Sequence, residues 1–281
     1  MNRIYQSFIE RYGKQEQYQR FSVQAYVKVA NAYLERNNRK RANKNYEQAL
    51  AFFDSHPNLK DDFVANKLSG EAKFKLVDQG FDSFKAIKIG GRNQKKLAES
   101  FKTKEAKMQL MIVQYAEVRN YRSQEYYLAA GVRGAEAYEN YADSLFNAPV
   151  IVPKEIKQLG ADYIDEFKLQ YEQQMFDLSQ PYYKKSADLY LKALEDGRKI
   201  KLFGSSWMKR IFQGLNRPNI KMHVMGSMKM RKPEKPRFIK KTILPLPMES
   251  GKAHKRVKPK ETEAPNQGKR GSEAKSQAGA R

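Results

Sequence analysis

The chain has 281 residues, with 54 Lys or Arg against 31 Asp or Glu, a net charge of +23, and no cysteine. The missing cysteines exclude disulfide frameworks and thiolate metal sites, while a hydrophobic share of 40% beside 30% charged residues is enough for a buried core. No run of about eighteen apolar residues occurs, so no transmembrane helix is expected.

The first seventeen residues, MNRIYQSFIERYGKQEQ, are amphipathic. They lack the apolar core of a signal peptide, which makes the cytoplasm the default compartment. Tyr5, Phe8, Ile9 and Tyr12 read as the second helix of a preceding helix pair, so a start further upstream would leave room for an export signal and a periplasmic location. Next comes AYVKVANAYLERNNRKRANKNYEQALAFF, residues 25–53. Tyr26, Val29, Ala30 and Tyr33 fall at steps of three, four and seven and share one helical face. Asn37-Asn38 then offers the left-handed conformation that closes a helix. A second face follows in Ala42, Tyr46, Ala49, Leu50 and Phe53. So short a turn makes the two helices antiparallel, and Ala30 and Ala42 let their backbones approach.

This pattern resembles one tetratricopeptide repeat, a helix–turn–helix unit that stacks into solenoids. Tyr26 stands at the motif's large aromatic, Val29-Ala30 at its Leu-Gly and Tyr33 at its Tyr. Ala42, Tyr46 and Ala49 take the small–aromatic–small positions of the second helix. Ala30 replaces the usual Gly, and Pro57 comes later than the usual terminal Pro. The resemblance implies an all-α solenoid of antiparallel helix pairs whose first helices line a concave, partner-binding groove. In this register Gln24, Val27, Asn31, Leu34 and Glu35 face that groove. Asn31 matches the Asn of the family's carboxylate-clamp members, but Val27 stands where the clamp needs a Lys, so a clamp is not expected.

Further along, residues 61–87 read as a helix carrying Leu68, Ala72, Leu76, Phe81 and Phe84, with Gly90-Gly91 as its C-terminal turn. A helix from about Gln94 carries Leu97, Phe101, Met108, Ile112 and Tyr115. Ser123 reads as the N-cap of the next, whose buried stripe is Leu128, Gly131, Ala135, Tyr138, Ala142 and Leu145. Pro149 and Pro153 bound a turn that no helix crosses. A helix then runs through Tyr163, Phe167 and Tyr171 to about Leu178, and Pro181 opens another. There Ser186, Tyr190, Ala193 and Leu194 repeat the spacing of Ala42, Tyr46, Ala49 and Leu50. Over roughly residues 20–230 this order, with FDSFKAIKI, MQLMIVQYAEV, AAGVRGAEAYENYAD and LSQPYYKKSADLYLKAL, is similar to the long tetratricopeptide proteins of deltaproteobacteria, including those associated with gliding motility. Members of that group are usually exported and longer.

Residues 201–281 hold 21 Lys or Arg against 5 Asp or Glu and seven of the eleven prolines, which leaves a net of only +7 for residues 1–200. Three parts are therefore expected: a repeat domain over 1–200, a capping helix and irregular Met-rich segment over 201–230, and a basic disordered tail over 231–281. Within 203–216, Trp207, Ile211, Phe212 and Leu215 form the cap's apolar face; Met222, Met225, Met228 and Met230 follow in irregular chain.

Catalytic chemistry finds no footing. His56, His223 and His254 are isolated, with no metal-ligating spacing. IGGRNQKK follows a helix and lacks the Gly-Lys-Ser/Thr of a phosphate loop. Carboxylates such as Asp162, Asp165 and Glu166 read as solvated faces, with no two opposed across a pocket. The expectation is a non-enzymatic scaffold without cofactor, metal or small-molecule substrate, binding a protein partner on its concave face. The alternative is nucleic-acid binding through the basic tail, which would equally meet an anionic membrane weakly; Phe238 is the only aromatic of 231–281, so base stacking has little support.

Overall fold

The computed structural model describes residues 2–228, and every element there is helical: α1 Asn2–Tyr12, α2 Gln19–Glu35, α3 Arg39–Asp54, α4 Phe63–Ala86, α5 Gln94–Val118, α6 Gln124–Phe146, the single turn α7 Lys154–Lys157, α8 Ala161–Lys199 and α9 Ser206–Met228. The expected tail over 231–281, with Phe238 and His254, lies outside the described residues, as does Met230.

The α2/α3 hairpin forms as its sequence dictates. Asn37 adopts φ +56°, and the N–H groups of Asn37 and Asn38 donate to the carbonyls of Leu34 and Tyr33, each at 2.9 Å. That closes α2 in a Schellman-type turn. Asn38 then caps α3, its Oδ1 accepting from the Arg41 N–H at 3.2 Å. Ala30 and Ala42, both 0% exposed, meet at the crossing beside Val27, Tyr46, Ala49, Leu50 and Ala72 of α4. Asp62 and Asn93 cap α4 and α5 in the same way.

Three expectations about these elements need correction, and a fourth holds in position without its side-chain bond. α4 stops at Ala86, so Gly90-Gly91 is not its C-cap. A Cβ on Gly91 would lie 2.6 Å from the Leu97 backbone nitrogen, so its glycine serves the close approach of this loop to the first turn of α5. Ser123 does occupy the N-cap position of α6, but its hydroxyl makes no cap bond. It packs instead where a Cβ on Gly70 would come within 2.5 Å of its own Cβ, at the α4–α6 contact. The break at Pro181 is absent, and α8 runs unbroken through it for 39 residues. An interior proline forfeits a ladder bond at a cost of about 3 kcal/mol. Burial on both sides offsets it: Phe167, Tyr171 and Met175 before the proline, Tyr182, Tyr183, Ser186 and Tyr190 after it. Lastly, Met222, Met225 and Met228 are not in irregular chain, because α9 continues through Pro218 to Met228.

The helices pack in a consistent order. α2, α4, α6 and α9 lie side by side in a row, and α3, α5 and α8 each rest against the row members before and after them. α1 packs on α2, and α7 on α8. α9 seals the α6/α8 end through Met208 and Ile211, which join Leu128, Val132, Ala135, Tyr190 and Ala193 in one buried cluster. Of the expected cap face, Ile211 is buried, but Phe212 is 53% exposed and does not belong to it.

Candidate functional site

The row of α2, α4, α6 and α9 carries a series of polar contacts, several of them anchored from behind by a tyrosine. At α2, the Asn31 amide donates to Glu71 at 2.9 Å and accepts from Lys75 of α4 at 2.9 Å; the Tyr46 hydroxyl of α3 donates to the same Asn31 oxygen. At α4, Asp78 accepts from the Tyr115 hydroxyl of α5 at 2.8 Å and from Arg133 of α6 at 3.0 Å. At α6, the Tyr183 hydroxyl of α8 donates to Asp143 at 2.6 Å, and Tyr190 to Glu139 at 3.4 Å.

α9 completes the α6 end. Glu136, Glu139 and Asp143 are spaced so that all three project from one side of α6. They meet Arg210, Arg217 and Lys221, which share one side of α9. Arg210 contacts Glu136 at 2.6 Å, Arg217 grips Glu139 with two nitrogens at 2.9 and 3.1 Å, and Lys221 reaches Asp143 at 2.6 Å. Arg133 bridges Glu136 at 2.8 Å and Asp78 at 2.7 Å, its guanidinium 4.5 Å from the centre of the Phe81 ring. Trp207 stands edge-on to Phe74 at 5.4 Å, with Arg210 5.0 Å from its ring centre. Arg133, Glu136, Glu139, Asp143, Arg210 and Arg217 line a recess of about 450 Å³, together with Phe81, Lys85, Asn140 and Gln213. The Asn140 Oδ1 itself is buried and has no hydrogen-bond partner.

Burial pushes the Tyr46, Tyr115, Tyr183 and Tyr190 hydroxyls well above the ordinary phenol range, and neighbouring carboxylates push further. They therefore stay protonated donors. Burial works against the Arg133 charge, but Asp78 and Glu136 outweigh it and its pKa ends raised. Hydrogen bonding to Glu139 does the same for Arg217. Lys104 differs: 2% exposed, it donates to the Ile87 carbonyl at 2.6 Å, and burial lowers its pKa against the pull of Asp143.

The residues expected to face a groove are not all open to solvent. Val27 is 1% exposed and points into the core shared by α2, α3 and α4, because Ala72 of α4 closes over it. Leu34 is half-buried against the same cluster, Gln24 is half-buried, Asn31 is engaged as above, and Glu35 alone is exposed. Of the repeat-defining set, Val29, Ala30, Ala42, Tyr46 and Ala49 are buried, while Tyr26 and Tyr33 are half-buried at its margin. Glu136, Glu139 and Asp143, which the sequence reading did not single out, line the recess from one side of α6 and face cations of α9, not one another. The spacing of those three along α6 was the available signal; the matching cations lie more than sixty positions away, outside any local window. His56 stacks on Phe52 at 4.2 Å and bonds its carbonyl at 2.7 Å, a helix-end contact. Among the described residues no His, Asp and Glu group assembles a metal site, and no helix is long and apolar enough to cross a membrane. Comparison with family models, curated proteins and solved structures returns no match.

Proposed function

We propose that the chain is a non-enzymatic interaction scaffold, a tetratricopeptide-like solenoid of antiparallel helix pairs that holds a protein partner on the face formed by α2, α4, α6 and α9. One observation carries this reading: the charged groups of that face are fixed in advance by tyrosines reaching through from the second helices. Core packing alone does not require Asp78, Glu139 and Asp143 to be held in place by Tyr115, Tyr190 and Tyr183. A surface whose side chains are already ordered loses little entropy when a partner arrives. The 450 Å³ recess supplies a place for one anchoring side chain of the partner.

The test is site-specific photocrosslinking in the native cell. A photoreactive residue at Lys85 or Gln213, which line the recess without bracing its ion pairs, is expected to trap one recurring protein. The same residue at Lys184 or Lys192, exposed on α8, is expected to trap none. Equal or absent crosslinking at the two sets would overturn the proposal.

A further inference from the structure

The charge of the described body is not spread over its surface. Residues 1–228 carry 38 Lys or Arg against 26 Asp or Glu, a net of +12. Between 36 and 44 there are five basic and no acidic residues: Arg36, Arg39, Lys40, Arg41 and Lys44. Between 85 and 96 there are again five and none: Lys85, Lys88, Arg92, Lys95 and Lys96. Residues 147–161 add Lys154 and Lys157 against Glu155. These are the three connections from a row helix to the helix behind it: α2 to α3, α4 to α5, and α6 to α8. Together they account for +11 of the +12.

The fold brings these turns to one edge. Gln79 of α4 donates to Asn43 of α3 at 2.7 Å, about two turns inside the end of α4. A Cβ on Gly90 would lie 3.9 Å from Pro149 Cγ, and Ile89 and Ala148 share one buried cluster. The opposite edge, formed by 54–62, 117–125 and 195–201, holds six basic against seven acidic residues. All twelve cations of the basic edge are exposed. None of them forms an ion pair among the described residues, whereas Arg133, Arg210, Arg217 and Lys221 on the row face are all paired. Arg41 lies 5.6 Å from the Tyr33 ring centre and Lys85 5.7 Å from that of Phe81, but cations gathered on one edge without acidic partners repel one another.

We propose that this edge binds the phosphate backbone of nucleic acid, in a salt-dependent and sequence-independent way. A line of phosphates supplies the missing counter-charges, and released counterions drive the association. An anionic bilayer fits less well on two grounds. Membrane-surface binding adds buried apolar area to charge, yet 36–44 and 85–96 expose no large apolar side chain, and 147–161 exposes a single one, Leu159. The turns are also staggered. Asn31 sits opposite Lys75; α2 ends four residues beyond that contact and α4 eleven beyond it. At about 1.5 Å per residue the second turn projects roughly 10 Å past the first, more than the Debye length of about 8 Å at physiological salt. A flat surface in contact with one row is screened from the other, whereas a flexible or grooved polyanion follows both. The inference does not depend on what the row face binds.

The experiment uses the full chain and a labelled duplex DNA of about twenty base pairs, with binding followed by anisotropy against salt. One variant carries Arg39→Gln, Lys40→Gln and Arg41→Gln; a second carries Arg92→Gln, Lys95→Gln and Lys96→Gln. A third, with Lys184→Gln, Lys192→Gln and Lys199→Gln on exposed positions of α8, lowers the net charge equally. Residues 229–281 are common to all, so their contribution cancels. Each turn variant is expected to flatten the log K against log salt slope by up to about 2.7 and to weaken binding about tenfold or more near 0.1 M salt. The α8 variant should track the parent, and circular dichroism checks that all three fold. Equal losses in all three variants would mean that net charge alone acts. Unchanged binding in both turn variants would remove the edge from the interaction. Loss of binding to phosphatidylserine vesicles with DNA binding retained would assign the edge to membranes. Each of these outcomes overturns the proposal.

Discussion

Gly214→Ala tests whether α9 is seated as described. A Cβ at position 214 would overlap the ring carbons of Tyr190 and approach its hydroxyl to 2.7 Å. Tyr190 has little freedom to yield: it is 0% exposed, and its hydroxyl meets both Glu139 and Arg217. Overpacking of this kind costs about 1–3 kcal/mol, and the better helix propensity of Ala returns just under about 1 kcal/mol. The rigid aromatic neighbour places the overlap toward the upper end, for a net loss of about 1–2 kcal/mol. In a body of this size that lowers the melting midpoint by about 3–6 °C. Trp207 is the chain's one tryptophan and sits on α9 beside Phe74, so its emission reports the docking of α9 separately from the global melt. Adding Tyr190→Leu should recover part of the loss, giving a non-additive double-mutant cycle. An unchanged midpoint with unchanged tryptophan emission would show that α9 does not cross Tyr190 and does not wall the recess.

Ala30→Leu should cost about 1–3 kcal/mol by forcing α2 from α3, since Ala30 and Ala42 are both fully buried at the crossing; urea denaturation reads this, and an unaltered midpoint would refute the register of the pair. Pro181→Ala should stabilise the chain by about 1–2 kcal/mol, the restored helix bond outweighing the loosened unfolded state; a fall in stability would mean that the chain starts a new helix at Pro181. Alkaline titration should unfold the protein abruptly. Burial raises Tyr46, Tyr115, Tyr141, Tyr171, Tyr183 and Tyr190 above the ordinary value of 10, so above about pH 10 only the unfolded chain releases these protons. Their stabilisation is intact below that pH and falls above it, at about 1.4 kcal/mol per group per pH unit. Tyrosinate absorbance for this set should rise together with the loss of helix, not before it.

The sequence carried the elements well and their long-range chemistry poorly, for physical reasons. Short-range periodicity specified the α2/α3 hairpin, because Tyr26, Ala30, Asn37, Ala42 and Tyr46 act within thirty positions of one another. The start of α5 at Gln94 was equally local, with Asn93 as its cap. Pro181 misled because local propensity favours a break, while the deciding burial of Tyr171, Met175, Tyr182 and Tyr183 comes from α8 packing on α6. Glu139 and Arg217 are 78 positions apart. No window reading joins them, and each taken alone is one more charge on an amphipathic helix. The basic turns differ: each is a local run of cations, but the much larger positive excess of the chain lies after residue 200. Only the fold shows that 36–44 and 85–96 share an edge.

That edge and the row face set two kinds of charge against each other within one body. On the row face, Arg133, Arg210, Arg217 and Lys221 face Asp78, Glu136, Glu139 and Asp143, with the tyrosine hydroxyls of Tyr115, Tyr183 and Tyr190 donating behind them. On the turn edge, ten cations stand without an acidic residue in either segment. Salt separates the two. Half-buried pairs at 2.6–3.1 Å are screened little, so added salt should leave the row face intact. Repulsion along the turn edge is screened strongly, and relieving it raises stability. The melting midpoint should therefore climb from low to moderate salt, and the climb should shrink in the variant carrying Arg92→Gln, Lys95→Gln and Lys96→Gln. A midpoint that falls as salt is added would mean that the row-face pairs dominate and that the turn edge is not under strain. The case for an external polyanion would then lose its electrostatic motive, whatever the row face binds.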